Sequence, residues 1–348
     1  MRALPDMLPG AGSGNIIRPW ETLRLTFLLL LLFLSVATFA LTVGSYTIDL
    51  DTLFRIATGD HSSVVDATAR EVLFHIRLPR VMMAASVGAG LSMAGLIFQV
   101  LLRNVLADPY ILGVSGGASV GALIAIVSGA SAASLFMQPL FAFLGSLVVI
   151  VLVAAVGLRS GARSNTLLLS GVMIGTFLSS VILVLVSTTD TSIRSALFWL
   201  IGYLGNTTTT QVSIAAPLIV SIGLVATLLA GKMNLLSLGE TTASQLGLEA
   251  RRLRIVLFFL ASMSTAVVVS FAGAIGFVGL VVPHACRLFT GPDHRILLPS
   301  VFFTGATFTI LSDILARTIV HPVELPVGAV TAALGAPVFL VLLLRSRQ

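Results

Sequence analysis

The sequence predicts an all-α polytopic membrane protein with ten transmembrane helices and both termini in the cytoplasm. Three observations carry that prediction. Of 348 residues, 57 % are hydrophobic and only 10 % charged, against roughly 25 % charged in a soluble domain. Apolar runs of spanning length, about 20 residues, recur along the whole chain. The basic residues fall unevenly on the segments between them.

Residues 1–23, with Pro5, Pro9, Gly10, Gly12 and Gly14, read as a flexible cytoplasmic tail, and 24–348 as one transmembrane domain. The first apolar run, Leu25 to Val43, follows Arg18 and Arg24. It is longer than a signal-peptide core and reads as a retained anchor. Further spans are predicted near 79–101, 110–129, 136–158, 166–187, 212–230, 255–272, 275–289, 297–317 and 325–344. The third, eighth and tenth are rich in Gly and Pro, which softens their ends. Ten spans put both termini on one side. Fourteen Lys and Arg then lie with the termini, and six, Arg55, Arg70, Arg77, Arg80, Arg194 and Arg317, lie opposite. That bias orients the termini inward.

Two loops stand out. On the cytoplasmic side, 231–254 is long and polar, and "LGETTASQLGL" predicts a short helix from Thr241 to Leu246 between Gly239 and Gly247. On the outer side, Ser195 to Leu204 predicts a short amphipathic helix whose Trp199 and Tyr203 suit an interface.

Several function classes are excluded or left thin. The single cysteine, Cys286, allows no intramolecular disulfide and no thiolate cluster, and neither a metal site nor a cofactor is predicted. Scattered arginines do not make a nucleic-acid patch. Gly116 and Gly121 have the spacing of a phosphate loop, but Ala122 and Leu123 stand where lysine and Ser/Thr belong. The chain therefore lacks its own nucleotide-hydrolysing site, and no catalytic residue is assigned. "GVSGG" matches a serine-nucleophile pattern, leaving an intramembrane serine protease with Ser115 and His284 as an alternative. An ion-coupled secondary carrier is another, though apart from Asp313 and His284 the spans are nearly bare of the ionisable residues it would need. Gly113, Gly117 and Gly121 recur at every fourth position and read as a helix-packing stripe.

The block "GLSMAGLIFQVLLRNVLADPYILGVSGGASVGA" (90–122) resembles the hallmark of the iron-chelate and vitamin B12 (FecCD-type) permeases, the membrane subunits of type II ABC importers. "GAIGFVGLVVPHACRLFTGPDHRILLP" (273–299), "ELPVGAVTAALGAPVFLVLLLR" (324–345) and "LSLGETTASQLGL" (236–248) resemble further family blocks in the same order. The resemblance implies a permease of ten helices in the bacterial inner membrane, working with a second permease subunit, here expected as a homodimer. Two ATP-binding cassette ATPases would bind inside and a solute-binding protein outside. It implies that Arg77, Arg80 and Arg317 dock carboxylates of the binding protein, though Asp313, four residues before Arg317, offers an intrahelical pair instead. Glu240, Ser244, Gln245 and Gly247 would couple to the ATPase. Ser164, Asn165 and Gln99 would belong to the pathway and its gate, with Asn165 and Val105 departing from the family's usual serine and proline. The solute would be a ferric siderophore, haem or cobalamin, the iron chelate being the commonest use.

Overall fold

A computed structural model describes residues 19–44, 46–58, 67–159, 164–187, 193–320 and 323–345. The described residues are mostly helical, with no strand among them. In chain order the helices are α1 (Pro19–Thr42), α2 (Leu50–Ala57), α3 (Ala67–Glu71), α4 (Leu78–Leu102), α5 (Val114–Val127), α6 (Ala130–Ala133), α7 (Met137–Arg159) and α8 (Ser164–Ser187). They continue with α9 (Ile193–Ile201), α10 (Thr209–Ser237), α11 (Glu240–Gln245), α12 (Ala250–Ala272), α13 (Val278–Thr290), α14 (His294–Thr318) and α15 (Val327–Arg345). A π-helical stretch, Val72–Arg77, joins α3 to α4 without a break.

Among the described residues seven segments are long and apolar enough to cross a membrane, and three shorter apolar helices fall in α5, α13 and α15. These three are the Gly- and Pro-rich segments whose limits the sequence leaves soft. α1 starts at Pro19, so the last five residues assigned to the tail are helical; residues 1–18 lie outside the described residues.

The centre of the bundle is α4, wrapped by α10, α12, α13 and α14. In lipid there is no hydrophobic drive between helices, so small residues that let backbones approach decide the packing. A Cβ on Gly88 would collide with the carbonyl of Gly305 on α14, and one on Gly95 with the carbonyl of Gly279 on α13. Between them Ser92 donates to the Val301 carbonyl at 2.7 Å, tying α4 to α14. The periphery is different. The spanning windows of α1 and α8 are each only 6 % buried, leaving apolar faces for lipid or another protein.

The Gly113 stripe divides. Gly113 sits just before α5 with φ +74° and meets Gly171 of α8, whereas Gly117 and Gly121 press on the Gly145 and Phe141 carbonyls of α7. The left-handed turn at Gly113 takes it off the face shared by the other two.

Non-helical backbone separates α12 from α13 at Gly273 to Phe277, with φ +72° at Gly273 and +68° at Phe277. Backbone groups at membrane depth must find partners inside the protein. For Ile275 the Tyr110 hydroxyl supplies them, donating to its carbonyl and accepting from its N–H, both at 2.9 Å.

Candidate functional site

The bundle carries polar chemistry at its two ends. At one end, α10 and α12 are joined by α11, a six-residue helix. It starts at Glu240 and ends at Gln245, one residue earlier at each end than the sequence suggests. Gly239 at φ +118° and Gly247 at φ +81° turn the chain on either side of it, a conformation that glycine adopts without steric cost. Its inward residue, Ala243, is fully buried, while Glu240, Ser244, Gln245 and Gly247 are exposed. Leu238 and Leu246 flank them as exposed apolar side chains.

Glu240 is not free. Its Oε2 accepts from Arg254 Nη1 at 3.1 Å, and Arg254, in the first turns of α12, is itself buried. The sequence counts Arg254 only as an inward charge and gives no sign of this tether. Nearby, Gln99 near the end of α4 accepts from Arg287 Nη2 of α13 at 3.1 Å and is 4 % exposed. Gln99 is therefore packed between α4 and α13. Asn165 is exposed at the start of α8. Ser164 opens that helix, but its side chain lies outside what is described, as does Arg163.

At the opposite end the arginines read as exposed docking groups are buried: Arg77 is 4 %, Arg80 5 % and Arg317 7 % exposed. This is a correction to their exposure, and its cause is the company they keep. Arg77 donates to the backbone carbonyls of Leu41 (2.6 Å), Thr42 (3.0 Å) and Tyr46, where α1 ends. Arg80 Nε holds both oxygens of Asp313, at 2.9 and 3.1 Å, and its Nη1 reaches Glu324 Oε2 at 2.9 Å. Arg317 donates to the Ala40 carbonyl at 2.7 Å and lies 3.7 Å from Asp313. The pair between Asp313 and Arg317 exists, but Arg80 makes the closer bond. Glu324, unnoticed in the sequence, is half-buried and also accepts from the Tyr203 hydroxyl at 3.1 Å. One cluster thus joins α4, α14, the strand-free segment before α15 and the segment after α9. Arg80 Nη2 is buried without a partner.

Beside this cluster a cavity of about 530 Å³ opens between α9 and the ends of α5, α7, α10 and α12, lined among others by Trp199, Tyr203, Gln138 and Asn206. α9 runs Ile193–Ile201, where the sequence suggests a helix over 195–204.

Two alternatives lose their geometry here. Both ring nitrogens of His284 lack a hydrogen-bond partner, so no Ser115–His284 dyad forms. Asp313 is clamped between two arginines, so it is not a free ionisable group of the kind a coupled carrier needs. Among the described residues no cluster of His, Cys, Asp or Glu is arranged to hold a metal.

The profile of the FecCD transport family matches residues 28–345. The chain belongs to that family. It is 45 % identical over 285 residues to the cobalamin import system permease BtuC of Halobacterium salinarum, covering 82 % of this chain and 76 % of that one. It is 36 % identical to the hemin transport system permease HmuU of Yersinia pestis over 330 residues, 94 % of this chain and 96 % of the other. A solved structure described as an inward-facing metal-chelate type ABC transporter superposes with TM-score 0.82 at 31 % identity, covering 92 % of this chain and 99 % of that one. The chain is accordingly a multi-pass membrane permease.

Proposed function

We propose that this chain is the membrane subunit of a binding-protein-dependent ABC importer, and that α11 is the element through which its ATPases drive it. The observation that carries the reading is α11 itself: a short helix at one end of the bundle, anchored by Ala243 and Arg254, presenting Glu240, Ser244, Gln245 and two leucines outward. An exposed rigid helix flanked by apolar side chains suits a protein groove, where Leu238 and Leu246 would be buried. This end is the cytoplasmic one, with both chain termini beside it and ten membrane crossings, three of them through the shorter helices. The membrane is the bacterial inner membrane.

Two ABC ATPases bind there, and two copies of the chain enclose the pathway. The apolar faces of α8 and α15, including Leu169, Met173, Phe177, Val338 and Leu340, supply the surface for the second copy. Ser164 and Asn165, at the α11 end of α8, are the gate. A solute-binding protein docks at the opposite end. Arg77, Arg80 and Arg317 serve that docking by partner exchange, since each guanidinium already holds at least one partner. Glu324, with 37 % of its side chain exposed, is the carboxylate most readily displaced by one from the partner. The similarity to the halobacterial cobalamin permease favours a corrinoid as the solute, ahead of haem and of the ferric siderophore that family frequency suggests.

Leu246→Glu tests the assignment of α11. It replaces an exposed side chain outside the bundle, so the permease folds normally, yet co-purification with its ATPase falls sharply. Undiminished association would remove α11 from the ATPase interface.

A further inference from the structure

Six residues before α11, the last turns of α10 carry Asn234, whose amide engages α14 through both its nitrogen and its oxygen. Its Nδ2 donates to Asp293 Oδ1 at 2.6 Å, and its Oδ1 accepts from the backbone N–H of His294 at 2.9 Å. The same oxygen faces His294 Nδ1 at 2.6 Å. Asp293 is the N-cap of α14 and also accepts from the Arg295 N–H at 3.0 Å. The first N–H groups of a helix have no partner within it. Here one is satisfied by the helix's own cap and another by a side chain from a different helix. Arg295 lies against Gly231, one turn back on α10, and His294 is 4 % exposed. The first turn of α14 is therefore closed by α10.

Sliding α10 past α14 breaks three contacts together and strips a cap, so the two ends move as one body. α14, 25 residues long at about 1.5 Å per residue along its axis, carries Asp313 and Arg317 of the far charge cluster. On the other side of α11, Glu240 is tied to Arg254 at 3.1 Å. α11 is thus strung between a helix that holds its own carboxylate and a helix clasped to the long rod of α14.

We propose that Asn234 is a positioning residue of the transport cycle: its clasp on Asp293 and His294 passes the displacement of α11 to α14. This rests on the reading of α11 as the element that meets the ATPase.

The test is reciprocal exchange. Asn234→Asp sets two carboxylates against each other, while the double variant Asn234→Asp with Asp293→Asn restores one amide facing one carboxylate and keeps an N-cap on α14. Each is assembled with the ATPase and binding protein in proteoliposomes, and cobalamin taken up per ATP hydrolysed is measured. Asn234→Asp is expected to lower that ratio about tenfold, within the usual range of inter-site coupling, while ATP hydrolysis continues. The double variant is expected to recover it to within about twofold. Asn234→Ala, which lacks the repulsion, gives an intermediate fall and serves if Asn234→Asp does not assemble. A wild-type ratio in Asn234→Asp or Asn234→Ala, or a double variant no better than the single, overturns the clasp. A wild-type complex that hydrolyses ATP without any response to binding protein and solute instead overturns the role of α11.

Discussion

Removing Arg80 strands a buried carboxylate, and the cost follows from the geometry. Asp313 is 1 % exposed and receives two bonds from Arg80 Nε at 2.9 and 3.1 Å. Its remaining cation, Arg317, is 3.7 Å away and spends its one hydrogen bond on the Ala40 carbonyl. Deleting one partner of a buried ion pair costs about 3–5 kcal/mol, mostly because the other charge is left without compensation. Arg317 still offsets part of that, so about 3 kcal/mol is expected for Arg80→Ala. At about 2 °C per kcal/mol, the lower end for large chains, the thermal midpoint in detergent falls by roughly 6 °C. Glu324→Gln should cost under about 1 kcal/mol, because its carboxylate is partly exposed and such pairs are weak. Adding Asp313→Asn to Arg80→Ala should recover part of the loss, since the stranded charge is gone. The assay is thermal unfolding of the purified permease followed by size-exclusion chromatography. An Arg80→Ala midpoint within about 1 °C of wild type would show that Asp313 is not stranded without Arg80. So would strictly additive losses in the double variant.

Other consequences can be checked in the same preparation. Gly95→Ala should abolish a stable, monodisperse permease, because the methyl would occupy the Gly279 backbone, whereas Gly276→Ala should be tolerated, having nothing within 4 Å of its Cβ position. The Asp108 carboxyl, in the turn between α4 and α5, is pushed up to about 6 by burial, the Tyr110 N–H pulling the other way. Its folded pKa lies above its unfolded one, so its contribution is present below about pH 4 and is lost as pH rises through 6. Asp108→Asn keeps an acceptor for Tyr110 and should raise the thermal midpoint at pH 7.5 but not at pH 4; a lower midpoint at pH 7.5 would contradict this. Arg254→Gln should leave the bundle folded while loosening α11, seen as faster proteolysis at 239–247 and reduced ATPase association. Unchanged cleavage would show that the Glu240 tether does not hold the helix.

The spans were legible because their signal is composition over about 20 residues, and the short helices α9 and α11 because punctuation and amphipathicity frame them. The broken region between α12 and α13 was less so. Its integrity depends on Tyr110, 165 residues from Ile275, and no local pattern announces such a bond. The same distance hid the fate of the arginines. "RLPR" at the mouth of a span looks exposed until α14 brings Asp313 beside Arg80, 233 residues away. Glu324 opens a family block and Asn234 lies in none, yet both acquire their role only from their partners. Gln99 sits among the recognisable family residues, but its burial against Arg287 is a product of helix packing. Charge counting could orient the chain; it could not say which charges are spent inside.

Inward transport of a corrinoid, powered by ATPases bound at α11, is what we propose for this permease. The most direct measurement is uptake of radiolabelled cobalamin into proteoliposomes holding the permease with its ATPase, with binding protein outside and ATP within. The account predicts accumulation that requires both ATP and binding protein and is lost with Leu246→Glu. Accumulation without ATP, or none in a complex that binds both partners and hydrolyses ATP, would contradict it.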